Sequence, residues 1–118
     1  MDELIARLAT DVGIDRSAAE KAVGIILDFL VKEGPADKVQ PLMAKLPGAE
    51  ALRVKTDSES SGLMGGVMGA GMRMMSAGLT MDEVQDVARA VLAYAREKAG
   101  DKAIGEVGAA IPGLAQFV

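Results

Sequence analysis

Five methionines, Met64, Met68, Met72, Met74 and Met75, stand within the eighteen residues from Gly62 to Leu79, where Arg73 is the only charge and glycine recurs at 62, 65, 66, 69, 71 and 78. Two kinds of chemistry are open to such a run. Soft thioether sulfurs select Cu(I), and unbranched thioethers adapt to varied apolar partners. Copper is the weaker reading, because the 118-residue chain contains neither cysteine nor histidine to help complete a site. No metal or cofactor is expected.

The same two absences narrow catalysis. They remove the thiolate nucleophile and the side chain most used as a general base near neutral pH. Carboxylates remain, with Asp82, Glu83 and Asp86 at one expected helix start and Asp15 and Glu20 at another. Acidic residues favour helix N-termini through the macrodipole, without any catalytic purpose. Asp57 and Glu59 lack the spacing of a calcium loop, and the glycine-rich run has no Gly-Lys-Ser or Gly-Lys-Thr step to cradle a phosphate. The expectation is a protein that is not an enzyme.

Thirteen Lys and Arg against seventeen Asp and Glu give a net charge of −4, the wrong sign for a phosphate-binding surface. A helix-turn-helix reading fails for the same reason, since the stretch 101–111 offers a groove only Lys102 and Glu106. Nucleic acid is excluded as an expected partner. The acidic start Met1-Asp2-Glu3-Leu4 lacks the basic and apolar regions of a secretory signal, so the cytoplasm is the expected compartment.

The elements that must position these residues come from a repeat. A shift of 65 positions aligns residues 12–53 with 77–118 without a gap. Gly13, Leu27, Ala44, Pro47 and Gly48 recur as Gly78, Leu92, Ala109, Pro112 and Gly113. Five identities are few, so the apolar register carries the weight. Positions 19, 22, 23, 26, 27 and 30 and their counterparts 84, 87, 88, 91, 92 and 95 are all apolar, at the spacing of an amphipathic helix.

Those helices are expected from about Arg16 to Glu33 and from about Met81 to Lys98, ended by Gly34 and Gly100. Thr80 and Glu83 form a capping box, with Leu79 stapled onto Val84, and Asp15 takes the equivalent cap position, with Ser17 and Glu20 as a competing box two residues later. A shorter helix follows in each copy, through Val39, Leu42, Met43 and Leu46 and through Ile104, Val107 and Ile111. Asp37 as its cap would keep Pro41 inside the first turn. Leu46-Pro47-Gly48 and Ile111-Pro112-Gly113 then break the chain, and 49–52 and 114–118 fold back as short apolar lids. A further helix, with Leu4, Ile5, Leu8 and Val12 on one face, opens the chain. Tyr94 matches Phe29 and is expected in the core.

Between the copies, residues 54–61 have the composition of an exposed polar loop. Residues 62–76 then read as a helix with Met64, Met68, Met72 and Met75 on one face and glycines crowding the next. Each interior glycine costs such a helix roughly 0.5–1 kcal/mol, so its surroundings must hold it in place. Burial as a central helix between the two repeats is the simplest arrangement. The competing reading is contact with a protein partner or with a second copy, through that methionine face and the Gly65-to-Gly69 step. Membrane contact is less favoured, since glycine and Arg73 make the run weakly hydrophobic. A third use of the segment is to line an internal pocket for a lipid or another hydrophobic ligand.

The Gly-Ile-Asp at 13–15, the Leu-Pro-Gly-Ala-Glu-Ala-Leu at 46–52, the Gly/Met middle and the Ile-Pro-Gly-Leu at 111–114 together resemble small bacterial proteins of unknown function, the VcgC/VcgE-like and YidB-like groups. The resemblance implies an all-helical domain with no established activity, cofactor or catalytic residue. Those groups have a more leucine-rich middle where this chain has methionine. The expected architecture is an all-α single domain over 1–118, a bundle of about seven or eight helices with two pseudo-repeated units around the Gly/Met-rich helix. The expected function is that of a non-enzymatic interaction or structural protein. Its candidate contact residues are Met64, Met68, Met72, Met75, Gly65 and Gly69.

Overall fold

The computed structural model describes residues 2–46, 48, 49, 51, 52 and 66–111. Among the described residues there are six helices and no strand: α1 (Asp2–Asp11), α2 (Arg16–Glu33), α3 (Ala36–Ala44), α4 (Gly66–Ser76), α5 (Met81–Ala99) and α6 (Asp101–Ala110). The two further expected turns fall at 49–52, where Ala49, Ala51 and Leu52 are helical, and at 114–118, outside the described residues. Ala49 and Leu52 are buried, as a lid requires. The polar loop expected at 54–61 also lies outside the described residues.

The long helices start and stop where their local chemistry dictates. At the head of α5 the Glu83 N–H donates to Thr80 Oγ1 at 3.2 Å, and the Thr80 N–H donates to Glu83 Oε1 at 3.0 Å, which completes the capping box. Leu79 and Val84, the expected staple, are both buried. Asp15 caps α2 by position only, since its side chain makes no cap hydrogen bond. Gly34 ends α2 in extended backbone, and a side chain there would have no room: a Cβ would stand 2.5 Å from Val39 Cγ2 and 2.8 Å from the Leu30 carbonyl oxygen.

One boundary differs from expectation. Pro35, not Asp37, is the N-cap of α3, its carbonyl accepting from the N–H groups of Lys38 and Val39 at 3.0 and 2.9 Å. The helix therefore begins at Ala36, and Pro41 lies past its first turn. A proline there cannot donate to the carbonyl one turn back, but its ring is exposed and the helix ends three residues later, which contains the damage.

The centre of the molecule also differs. The expected central helix was the Gly/Met-rich one; α2 holds that place instead. Every residue from Ala22 to Leu30 is buried, and α2 packs against α1, α3, α4 and α5. The helix carries apolar side chains over most of its circumference there, with Gly24 and the buried Asp28 on the remaining side, whereas the described buried residues of α4 are Gly69, Ala70 and Met74. α5 lies against α2 with Val84, Val87, Val91, Leu92, Tyr94 and Ala95 buried. The outer helices α1 and α4 each rest on both α2 and α5, and α3 packs on α6. Tyr94 and Phe29 are both in the core, as their matched positions predict. With a radius of gyration of 12.7 Å, close to the roughly 13 Å of a compact chain of this length, the elements share one core.

Candidate contact surface

The exposed large apolar side chains among the described residues are three methionines: Met72 at 51%, Met75 at 43% and Met81 at 55% of full accessibility. Met72 and Met75 are one turn apart on α4, and Met81 opens α5. Helical residues three apart are surface neighbours.

The register of α4 explains which sulfurs point outward. Among the described residues its inner face is Gly69, Ala70 and Met74, all buried, so over this stretch the helix docks through small residues plus one thioether. The end of the helix then turns the chain onto α5. The Leu79 N–H donates to the Met74 carbonyl at 3.3 Å and the Gly78 N–H to the Met75 carbonyl at 3.0 Å, with Gly78 at φ 109. That pair of bonds is a Schellman stop, which needs a left-handed residue at the glycine and brings Leu79 and Met74 inward together.

Of the predicted contact residues, Met72 and Met75 are exposed and Gly69 is buried in the docking face. Met64 and Gly65 lie outside the described residues, as does the side chain of Met68. Among the described side chains, the methionine of α4 that turns inward is Met74, which belonged to no predicted stripe.

A buried carboxylate positions this helix, and sequence reasoning missed it. Asp28 on α2 is 0% exposed. Its Oδ2 accepts from Arg73 Nη1 of α4 at 3.4 Å and lies 3.1 Å from Lys32 Nζ, one turn along its own helix. A buried charge is tolerated only when paired, so Arg73 ties α4 to α2. Two signals were available: the lone cation of an eighteen-residue run calls for an anion, and Asp28 and Lys32 are an i,i+4 pair.

On the opposite outer helix, Arg7 of α1 reaches Glu3 at 3.2 Å and Glu97 of α5 at 3.3 Å. Arg7 and Lys98 stand over the Tyr94 ring at 5.8 and 5.4 Å. The hydrogen bond and charge of Glu97 raise the Arg7 guanidinium above its ordinary range. Among the described residues no cluster of acidic groups is placed to hold a metal ion, and no helix is long and apolar enough to cross a membrane. No family model, no curated protein and no solved structure matches this chain.

Proposed function

We propose that this chain is a non-enzymatic interaction protein, built from two related three-helix units, that associates with a second copy of itself through the outer face of α4 and the start of α5. The observation that carries the contact is the exposure of Met72, Met75 and Met81 on a molecule whose other large apolar side chains, where described, are in the core or packed against it. A two-fold contact sets a patch against its own copy, so apolar meets apolar by symmetry, and methionine adjusts to the imperfect fit. Three half-exposed side chains, of which Met72 and Met75 are neighbours on one helix, offer an area well below the ~1,200 Å² at the lower end of stable interfaces, so the association is weak and concentration-dependent.

The two-unit reading is supported by element positions; the resemblance to VcgC/VcgE-like and YidB-like proteins rests on sequence motifs. Arg16 and Met81 open α2 and α5, and Ala36 and Asp101 open α3 and α6, each pair 65 apart. The last residues of α1 and α4, Asp11 and Ser76, keep the same spacing, so the correspondence reaches back beyond residue 12 to the first helix. Exchange of α1, α2 and α3 with α4, α5 and α6 also turns the set of packed pairs into itself: α1·α2 becomes α4·α5, α2·α3 becomes α5·α6, α2·α4 becomes α1·α5, and α2·α5 and α3·α6 are unchanged. An internal two-fold relation has that property.

A thioether-lined pocket for lipid or another hydrophobic ligand lacks comparable support. Of the described methionine side chains on α4 only Met74 turns inward, and it fills the core. The test is light scattering after size exclusion over a range of concentrations. Wild-type protein should shift from monomer toward dimer as concentration rises, and Met72→Asp with Met75→Asp should stay monomeric with unchanged circular dichroism. A wild type that is monomeric throughout, or a double variant that still dimerises, overturns the reading.

A further inference from the structure

We propose that Met72, Met75 and Met81 form a reversible oxidation site, at which conversion to methionine sulfoxide changes the surface of the protein and leaves its fold intact. Three observations meet here. The chain has eight methionines and no cysteine or tryptophan, so thioether sulfur is its most readily oxidised group. Exposure divides the described methionines cleanly, with Met72, Met75 and Met81 about half exposed and Met43 and Met74 buried at 6% and 3%. The third observation separates a switch from damage. The positions 65 earlier than the three exposed methionines are Arg7, Thr10 and Arg16, all polar. Arg7 is half-buried within its ion pairs, and Thr10 and Arg16 are exposed. The equivalent places on the first unit therefore carry polar side chains with the helices intact, and the fold has no need of apolar groups there.

The reaction is a two-electron oxygen transfer from a hydroperoxide. The thioether sulfur attacks the distal peroxide oxygen, the O–O bond breaks as the S–O bond forms, and the proton passes to the departing alkoxide or hydroxide, leaving an alcohol or water. Sulfur is oxidised and peroxide oxygen reduced, with no net proton taken from the protein. Thiol-dependent sulfoxide reductases, one for each sulfoxide epimer, reverse the change. The product is a polar sulfoxide in place of an apolar thioether, which opposes any apolar contact made through this face. That last consequence rests on the self-association proposed above; the modification site does not.

The experiment treats the full chain with hydrogen peroxide and follows each methionine by peptide mass mapping, alongside circular dichroism and light scattering. Met72, Met75 and Met81 should oxidise about tenfold or more faster than Met43 and Met74, in line with the dependence of the reaction on access. The helical signal and melting temperature should hold while the first three are converted, and sulfoxide reductase should restore the starting masses. Equal rates for the five residues, or loss of helicity as the outer three react, overturns the proposal. Selective oxidation of a protein that is monomeric from the start leaves the site standing and removes the self-association reading. If association is present, peroxide should abolish it in the wild type and spare it in a variant carrying Met72→Leu, Met75→Leu and Met81→Leu; a leucine variant that dissociates equally would place the effect elsewhere and refute the switch.

Discussion

The outer helices α1 and α4 lie on the same two long helices and are held there by different means. α1 inserts Leu4, Ile5 and Leu8, all essentially fully buried, and keeps its ions at the rim, where Arg7 meets the exposed carboxylates of Glu3 and Glu97. Among the described side chains, α4 inserts Gly69, Ala70 and Met74, and its ion pair reaches inward to Asp28. Full burial of a large aliphatic side chain stabilises by roughly 1.5–3 kcal/mol, so the three of α1 outweigh that methionine and alanine by several kcal/mol. Apolar volume therefore anchors α1, and on α4 a charge contact adds to the apolar residues described. On the proposed two-unit reading, the counterpart of Leu8, 65 positions on, is Arg73 itself.

Mutations that exchange these anchors test the contrast. The largest effect belongs to Leu8→Ala, which leaves a cavity under α1 and should cost about 2–5 kcal/mol in chemical denaturation. A loss well below 2 kcal/mol would mean that α1 is not held by its apolar face. Next comes the pair Arg73→Met and Arg7→Met. Removal of Arg73 leaves the buried Asp28 carboxylate with a weaker set of partners and should cost about 1–3 kcal/mol, less than an isolated buried pair because Arg73 is itself partly solvated. Removal of Arg7, whose partners are exposed, should lower the denaturation midpoint clearly less than removal of Arg73. Equal losses from the two arginines would erase the distinction between an inward and a peripheral ion pair.

The caps of the two long helices extend the comparison at smaller scale. Thr80→Ala breaks a formed capping box and should lower stability by about 1 kcal/mol, whereas Asp15→Ala, at the equivalent position with no cap bond to lose, should change it by no more than about 0.5 kcal/mol. Thermal melts of the two variants give the difference directly. The smallest effect is a gain. Gly71 lies inside α4, and among the described residues a Cβ there would meet only Val84 Cγ1 at 4.0 Å, an ordinary contact. Gly71→Ala should stabilise the protein by roughly 0.5–1 kcal/mol, and a loss instead would show α4 seated more tightly than its packing indicates.

The parts of this fold that local chemistry controls were readable in advance. The ends of α2 and α5, the Thr80–Glu83 box, the opening helix with Leu4, Ile5 and Leu8 inward, and the core positions of Phe29 and Tyr94 follow from apolar spacing and cap residues. What escaped depended on neighbours distant in sequence. A helical wheel of α4 cannot say whether Met72 or Met74 faces inward, because both choices leave an apolar stripe; the docking face of Gly69 and Ala70 on α2 and α5 decides it. Asp28 was passed over because the stripe of α2 was read as one face, while packing on several sides buries the helix all round.

Composition and spacing alone determined that this chain is helical, acidic and without thiol or imidazole chemistry. Those properties reside in side chains and in the backbone preferences of adjacent residues. Tertiary structure alone decided which helix took the centre, which sulfurs met solvent, and that a carboxylate forty-five positions before Arg73 became its partner. Burial is a property of surfaces brought together, and no window of sequence contains both surfaces.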